Sequence, residues 1–133
     1  MPARVQVRML ACKPVPALLL LLPASLAIAG GGDAVRGRDA YEARCGGCHS
    51  VAADRVGPRH AGVFGRRAGS VAGFDYSDAL RRSGLTWNAE SLERWLADPE
   101  ALVPGQRMGY RLGDAQARAD IVAYLATLPA ASR

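Results

Sequence analysis

Two cysteines and a histidine stand together at Cys45-Gly46-Gly47-Cys48-His49, and their spacing suits one chemistry above others. The pattern C-x-x-C-H is the attachment motif of haem c. Two thiols separated by two residues reach, from a single tight turn, the two vinyl-derived carbons on one side of a porphyrin. The adjacent imidazole then falls under the iron. Gly46 and Gly47 leave that turn sterically free. Three readings compete. A redox-active dithiol uses the same C-x-x-C but expects a βαβ setting, and no strand-rich pattern surrounds it here. A structural disulfide fits the spacing as well. A zinc site needs four ligands and would have to recruit His60 at an odd spacing. Motif and export leader together favour haem.

An iron held by His49 takes a second axial ligand. Beyond residue 29 the sequence offers one methionine, Met108, and one further histidine, His60. Met108 lies in Val103-Pro104-Gly105-Gln106-Arg107-Met108-Gly109, where turn residues can aim a side chain. It lacks the helical apolar neighbours of a core residue, so it is favoured over His60. A thioether ligand raises the potential of a haem. His60 otherwise reads as an ordinary half-buried or surface histidine.

The elements that position these groups read as helical, with no convincing strand and no internal repeat. Asp33 can cap a helix leading to Cys45, with Gly37 and Tyr41 on one face. From Ser50 to Phe74 the chain is glycine-rich and aperiodic, hence loop. Ser77 can cap a short helix through Arg82, stopped at Gly84. Asn88 can cap another, with Leu92, Trp95 and Leu96 on one face and Asp98-Pro99 ending it. A last helix starts near Asp114, with Ala117, Ile121, Leu125 and Leu128 on one stripe, Tyr124 beside them, and Pro129 as the stop. So long a loop counts against a compact domain, unless it wraps a cofactor.

Residues 1–29 read as a secretory signal peptide. Arg4, Arg8 and Lys13 precede an apolar run, and Ala27 and Ala29 give a small-x-small cleavage pattern. The rival is a retained anchor, but Val15 to Ala29 holds two prolines and falls short of the ~20 residues of a span. Cys12 precedes the apolar run and would leave with the leader. Cleavage after Ala29 leaves one domain, residues 30–133, with only Cys45 and Cys48, and lowers the net charge from +5 to +2. Lys13 is the sole lysine. So modest a charge excludes a nucleic-acid footprint. A domain of this size has little surplus stability, so a bound cofactor would help it fold.

From about Gly32 to Leu128 the sequence resembles the soluble class I cytochromes c of mitochondria and bacterial periplasms. The resemblance rests on the C-x-x-C-H motif, Gly57-Pro58, Gly62-Val63-Phe64-Gly65-Arg66, Gly73-Phe74-Asp75-Tyr76-Ser77-Asp78-Ala79, Pro104-Gly105-Gln106-Arg107-Met108 and Arg118-Ala119-Asp120-Ile121-Val122-Ala123-Tyr124-Leu125. It implies an all-α fold in which the terminal helices cross and loops wrap one covalent haem c. It implies that Cys45 and Cys48 carry the haem, that His49 and Met108 bind its iron, and that the Pro58 carbonyl orients His49. Arg66, Tyr76 and Trp87 would bond or line the propionates, and Gly37 and Tyr41 would meet Ile121 and Tyr124. This chain departs from the family at several places. His60 replaces a usual leucine, Trp95 a tyrosine that supports the axial sulfur, Leu80 an asparagine and Tyr110 a phenylalanine. Arg44, Arg59, Arg107 and Arg111 stand in for a lysine rim, or form only a solvated surface.

The implied function is a single-haem electron carrier, not an enzyme, serving redox protein partners in the periplasm, with no nucleic acid, no membrane span in the mature form, and a monomeric state. Two alternatives stay open at this level. One is a dedicated haem subunit of a periplasmic dehydrogenase. The other is a haem peroxidase or gas-binding protein with a labile sixth ligand.

Overall fold

A computed structural model describes Met1 and residues 31–130; the expected leader and its cleavage site lie outside the described residues. Five helices follow in order: α1 (Ala34–Arg44), α2 (Asp78–Arg82), α3 (Ala89–Ala97), α4 (Pro99–Leu102) and α5 (Ala115–Thr127). Among the described residues there is no strand beyond one isolated antiparallel bridge, Arg67 to Thr86. No helix among them is long and apolar enough to cross a membrane.

Each helix begins on a side-chain cap. The carboxylate of Asp33 accepts from the Val35 and Arg36 amides, and the hydroxyl of Ser77 accepts from Leu80. Asn88 and Ser91 cap α3 reciprocally, and Asp114 accepts from Ala117. These bonds satisfy amides that have no partner within their helix. The sequence did not show α4. Asp98 closes α3 and caps α4 at once, and Pro99 occupies its first turn, where the missing amide and fixed φ cost nothing.

The frame is the crossing of α1 over α5. A methyl group on Gly37 would overlap the backbone carbonyl of Asp120, so the helices approach closely only because no side chain intervenes. Tyr41 meets Tyr124 at a ring-centroid distance of 5.3 Å, and Ile121 is wholly buried. The sequence did not signal the ion pair that locks the crossing. Asp120 is buried. Its carboxylate accepts from the Asp33 amide at 2.7 Å, from Arg36 Nε and Nη2 at 2.9 and 3.0 Å, and from Gln116 at 2.9 Å. A forked guanidinium–carboxylate contact of this kind is among the stronger polar contacts in proteins. Chiefly through the Arg36 hydrogen bonds, and then the Asp33 amide, the Asp120 carboxyl is held down at about 2.

Behind this crossing α3 packs on α5, and Leu92, Leu96, Leu112 and Leu125 build the core. Two stability outcomes follow. Ile121→Ala lowers the unfolding free energy by about 2–5 kcal/mol, read as a lower guanidinium midpoint at unchanged slope. For Asp120, the folded-state pKa lies below the ordinary 3.8. Its stabilisation is therefore complete above that value and is lost as pH falls through about 2. Asp120→Asn is accordingly less stable than the parent at neutral pH, and the gap closes on acidification. A gap that persists in acid would assign the loss to shape rather than charge.

Candidate functional site

The end of α1 turns directly into the cysteine motif. The Cys45 amide donates to Tyr41 at 2.8 Å, and the Cys48 and His49 amides both donate to the Cys45 carbonyl, at 3.0 and 2.8 Å. The turn leaves Cys45 half-buried and Cys48 exposed, both as free thiols. Burial pushes the Cys45 thiol up to about 11 against the opposing pull of Arg44.

The turn also aims His49 at the loop that follows. His49 Nδ1 lies 2.8 Å from the Pro58 carbonyl oxygen. A carbonyl only accepts, so Nδ1 carries the proton and Nε2 presents a lone pair. Burial lowers the pKa of His49, partly offset by the Pro58 hydrogen bond, which keeps the ring neutral and fit to bind a metal. The Gly57 amide donates to the Cys48 carbonyl at 2.9 Å. A methyl group on Gly57 would sit inside the His49 ring.

His60 settles beside His49, not beside Met108. The two imidazoles stack at 4.2 Å with planes 19° apart, and His60 Nδ1 is 3.0 Å from the Tyr41 hydroxyl. Two rings stacked face to face cannot bind one iron from its two sides. Burial, then the neighbouring His49 and Arg66, lowers the His60 pKa to about 3, so it too is neutral. Among the described residues no group of three or more His, Cys, Asp and Glu side chains is arranged to hold a metal ion, so the zinc reading has no support.

Met108 reaches the same cavity from a different segment. Gly105, at φ +86°, turns the loop in the left-handed region that a glycine adopts at no steric cost. The Gln106 side-chain oxygen accepts from the Met108 amide. Glu100, on α4, accepts from the Gly105 amide at 2.9 Å and from the Gln106 amide group at 3.2 Å. Trp95 on α3 donates its indole N–H to Met108 Sδ at 3.1 Å. Trp95 thus performs the contact for which the resemblance led us to expect a tyrosine.

Between these groups lies a cavity of about 640 Å³ lined by Cys45, Cys48, His49, Pro58, Arg66, Tyr76, Trp87 and Met108, with Val63, Leu80, Leu92, Leu96, Ile121 and Leu125 among its apolar walls. Every residue singled out from the sequence for this site reaches it. Trp87 packs edge-on to Trp95 at 5.3 Å, and Tyr76 edge-on to Phe74 at 4.8 Å. Arg66 donates to the carbonyls of Ala61 and Arg59 at 2.8 and 3.0 Å. A guanidinium has five donors, so the remaining ones can meet an anionic group. At the surface, Arg59 pairs with Asp54, Arg107 with Asp75 and Arg111 with Asp98, at 2.9, 3.0 and 3.1 Å. Three of the four arginines considered as a cationic rim are therefore matched by carboxylates. Sequence reasoning missed the Glu100–Gln106 clamp and the Tyr41–His60 contact. Only the first had a local signal, a carboxylate and an amide within eight residues of Met108.

The donor set fits a haem. An apolar cavity of this size takes a large planar group, two thiols line it for thioether bonds, and one imidazole lone pair and one thioether sulfur line it for iron.

The cytochrome c family model matches residues 34–129. The cytochrome c2 of Rhodomicrobium vannielii is 45% identical over 100 residues, covering 72% of this chain and 79% of that protein. Among solved structures, cytochrome cH from Methylobacterium extorquens superposes with a TM-score of 0.69 at 44% identity, over 72% of this chain and 99% of that one. The ferricytochrome c2 of Rhodopseudomonas palustris gives 0.68 at 39% identity, over 72% and 98%. The close approach of Gly57 to His49 yields a test. Gly57→Ala forces the imidazole off the Pro58 carbonyl, so the variant incorporates less haem and melts at a lower temperature than the parent. Equal haem content and equal melting would show that the loop yields freely.

Proposed function

Since the chain belongs to the cytochrome c family, whose members carry one covalent haem c, we propose that it is an electron carrier that shuttles single electrons between redox proteins in the periplasm. One observation carries the reading. The two thiols of the C-x-x-C-H motif, a neutral His49 with a free Nε2, and the Met108 sulfur all line one apolar cavity. When bound there, haem supplies a one-electron iron couple.

The residues divide the work. Cys45 and Cys48 would hold the group through thioethers, and His49 Nε2 and Met108 Sδ would bind its iron. With both ligands supplied by the protein, the iron would pass electrons without binding a substrate. The indole of Trp95 orients the sulfur, and the thioether and apolar walls favour the reduced state and a high potential. Arg66, Tyr76 and Trp87, which line the cavity, would meet the propionates. Cys48, exposed at the cavity mouth, marks the edge nearest a partner. Residues 1–29 direct export and are removed after Ala29, and residues 30–133 act as a monomer in a respiratory chain.

The visible spectrum of protein made with a haem-maturation system tests this reading. The ferric form shows a low-spin haem c spectrum with a weak far-red sulfur-to-iron band, and the ferrous form takes up no carbon monoxide at neutral pH. Met108→Ala loses the band and gains carbon monoxide binding. A wild-type spectrum that is high-spin, or ready carbon monoxide uptake, would overturn the carrier reading in favour of a haem with an open position.

A further inference from the structure

Tyr41, His60 and His49 make a continuous path from the helix crossing to the imidazole of the site. Tyr41 meets Tyr124 of α5 at 5.3 Å and meets His60 edge-on at 5.6 Å. His60 in turn stacks on His49 at 4.2 Å. Tyr41 is buried, and its hydroxyl lies 3.0 Å from His60 Nδ1.

The hydrogen bond from His49 Nδ1 to Pro58 fixes where one atom of the ring points. Because the ring is also attached at Cβ, what the hydrogen bond leaves open is small tilts of the ring plane about the side-chain bonds. Gly57 packs close to the ring at Cε1, and a surface against the ring face limits these tilts further. His60 provides a flat one, nearly parallel to His49, and its own ring is anchored by a hydrogen bond to a buried phenol. An aliphatic side chain could fill the same space but would offer neither the plane nor the anchor.

We propose that His60 is a positioning residue: anchored by the Tyr41 hydroxyl, it stacks on His49 and sets the plane of the iron-binding imidazole. The brace rests on the reading of His49 as an axial ligand. It ties the ring plane to the α1–α5 crossing, because Tyr41 is seated there. Orienting groups behind a ligand tune its basicity and the metal's properties, so the plane of this ring bears on the electronic state of the iron.

The test compares His60→Leu, Tyr41→Phe and the double variant as holoproteins. Two readouts report on the ring: exchange of the His49 Nδ1 proton with water in the ferrous protein by NMR, and the g values of the ferric protein by EPR. His60→Leu speeds the exchange by up to about tenfold, the worth of one net hydrogen bond, and moves the g values. Tyr41→Phe does both by less, and in the His60→Leu background it adds nothing. Unchanged exchange and g values in His60→Leu overturn the brace, as does a full further effect of Tyr41→Phe in the double variant. Should His60→Leu fail to give holoprotein, Tyr41→Phe decides by the same two readouts. The far-red band, recorded on the same samples, reports axial ligation separately; its persistence keeps that reading standing whichever way the exchange falls.

Discussion

The hydrogen bond from His49 Nδ1 to the Pro58 carbonyl is the constraint around which the site is arranged. It is 2.8 Å long, and it decides three things together: which nitrogen bears the proton, which bears the lone pair, and how the ring is directed into the cavity. The local sequence serves it. A proline has no amide to compete and a restricted backbone, so its carbonyl is held in place. Gly57 has to be glycine because the His49 ring occupies the space of any Cβ. The Gly57 amide returns to the Cys48 carbonyl, which closes the loop on the turn that carries the thiols.

That small assembly depends in turn on a larger frame. Residues 45–77 contain no helix, and ordering each backbone costs about 1–2 kcal/mol. The chain offsets this cost by pinning the loop at intervals. His60 and Ala61 donate to Ser50 and Val51, Gly65 donates to Trp87 while Trp87 donates to Arg66 beside the isolated bridge, and Ala68 donates to Leu85. A bound group contributes the rest by binding the folded state alone. The α1–α5 crossing is what these pins are referred to, since α1 delivers Cys45 and α5 supplies Ile121 and Leu125 to the cavity wall. The Arg36–Asp120 contact and the close approach at Gly37 hold the crossing and therefore hold the floor of the site.

How much of this the sequence disclosed depends on how local each cause is. The C-x-x-C-H motif is five residues long and its chemistry is set by spacing, so it was legible outright. The caps at Asp33, Ser77 and Asn88 act over three residues and were equally plain. The short α4 was hidden because Asp98-Pro99 is both a stop and a start, and only the stop is expected after a periodic run. Asp120 sits beside the apolar stripe of α5, where a charged residue ordinarily faces water; its partner Arg36 lies 84 residues away. His60 was harder still. Nothing between Tyr41 and His60 in sequence announces a contact, and a lone histidine in a glycine-rich loop fits many surroundings. Arg59, Arg107 and Arg111 fit a cationic rim or a solvated surface equally well in sequence, because their pairing with carboxylates has no signature there.

The two groups proposed as iron ligands, His49 and Met108, are supported unequally, and the inequality has a physical direction. His49 is fixed by a bond to a rigid carbonyl, by the glycine that admits it, and by a stacked ring tied to a buried phenol. Met108 rests on one indole donor to sulfur and on a clamp of Glu100 and Gln106 that lies at the surface. Hydrogen bonds there contribute only a fraction of the roughly 0.5–1.5 kcal/mol typical of a net bond, since water competes for every partner. A thioether is also an uncharged, weak acceptor, so the Trp95 contact orients it more than it binds it. Strain imposed on the site, by a partner, by heat or by denaturant, therefore releases first on the Met108 side, while the imidazole stays where the covalent motif and Pro58 hold it. A carrier built this way confines its adaptable element to one loop. The other proposed ligand, His49, belongs to the same turn as the two thiols proposed to carry the haem.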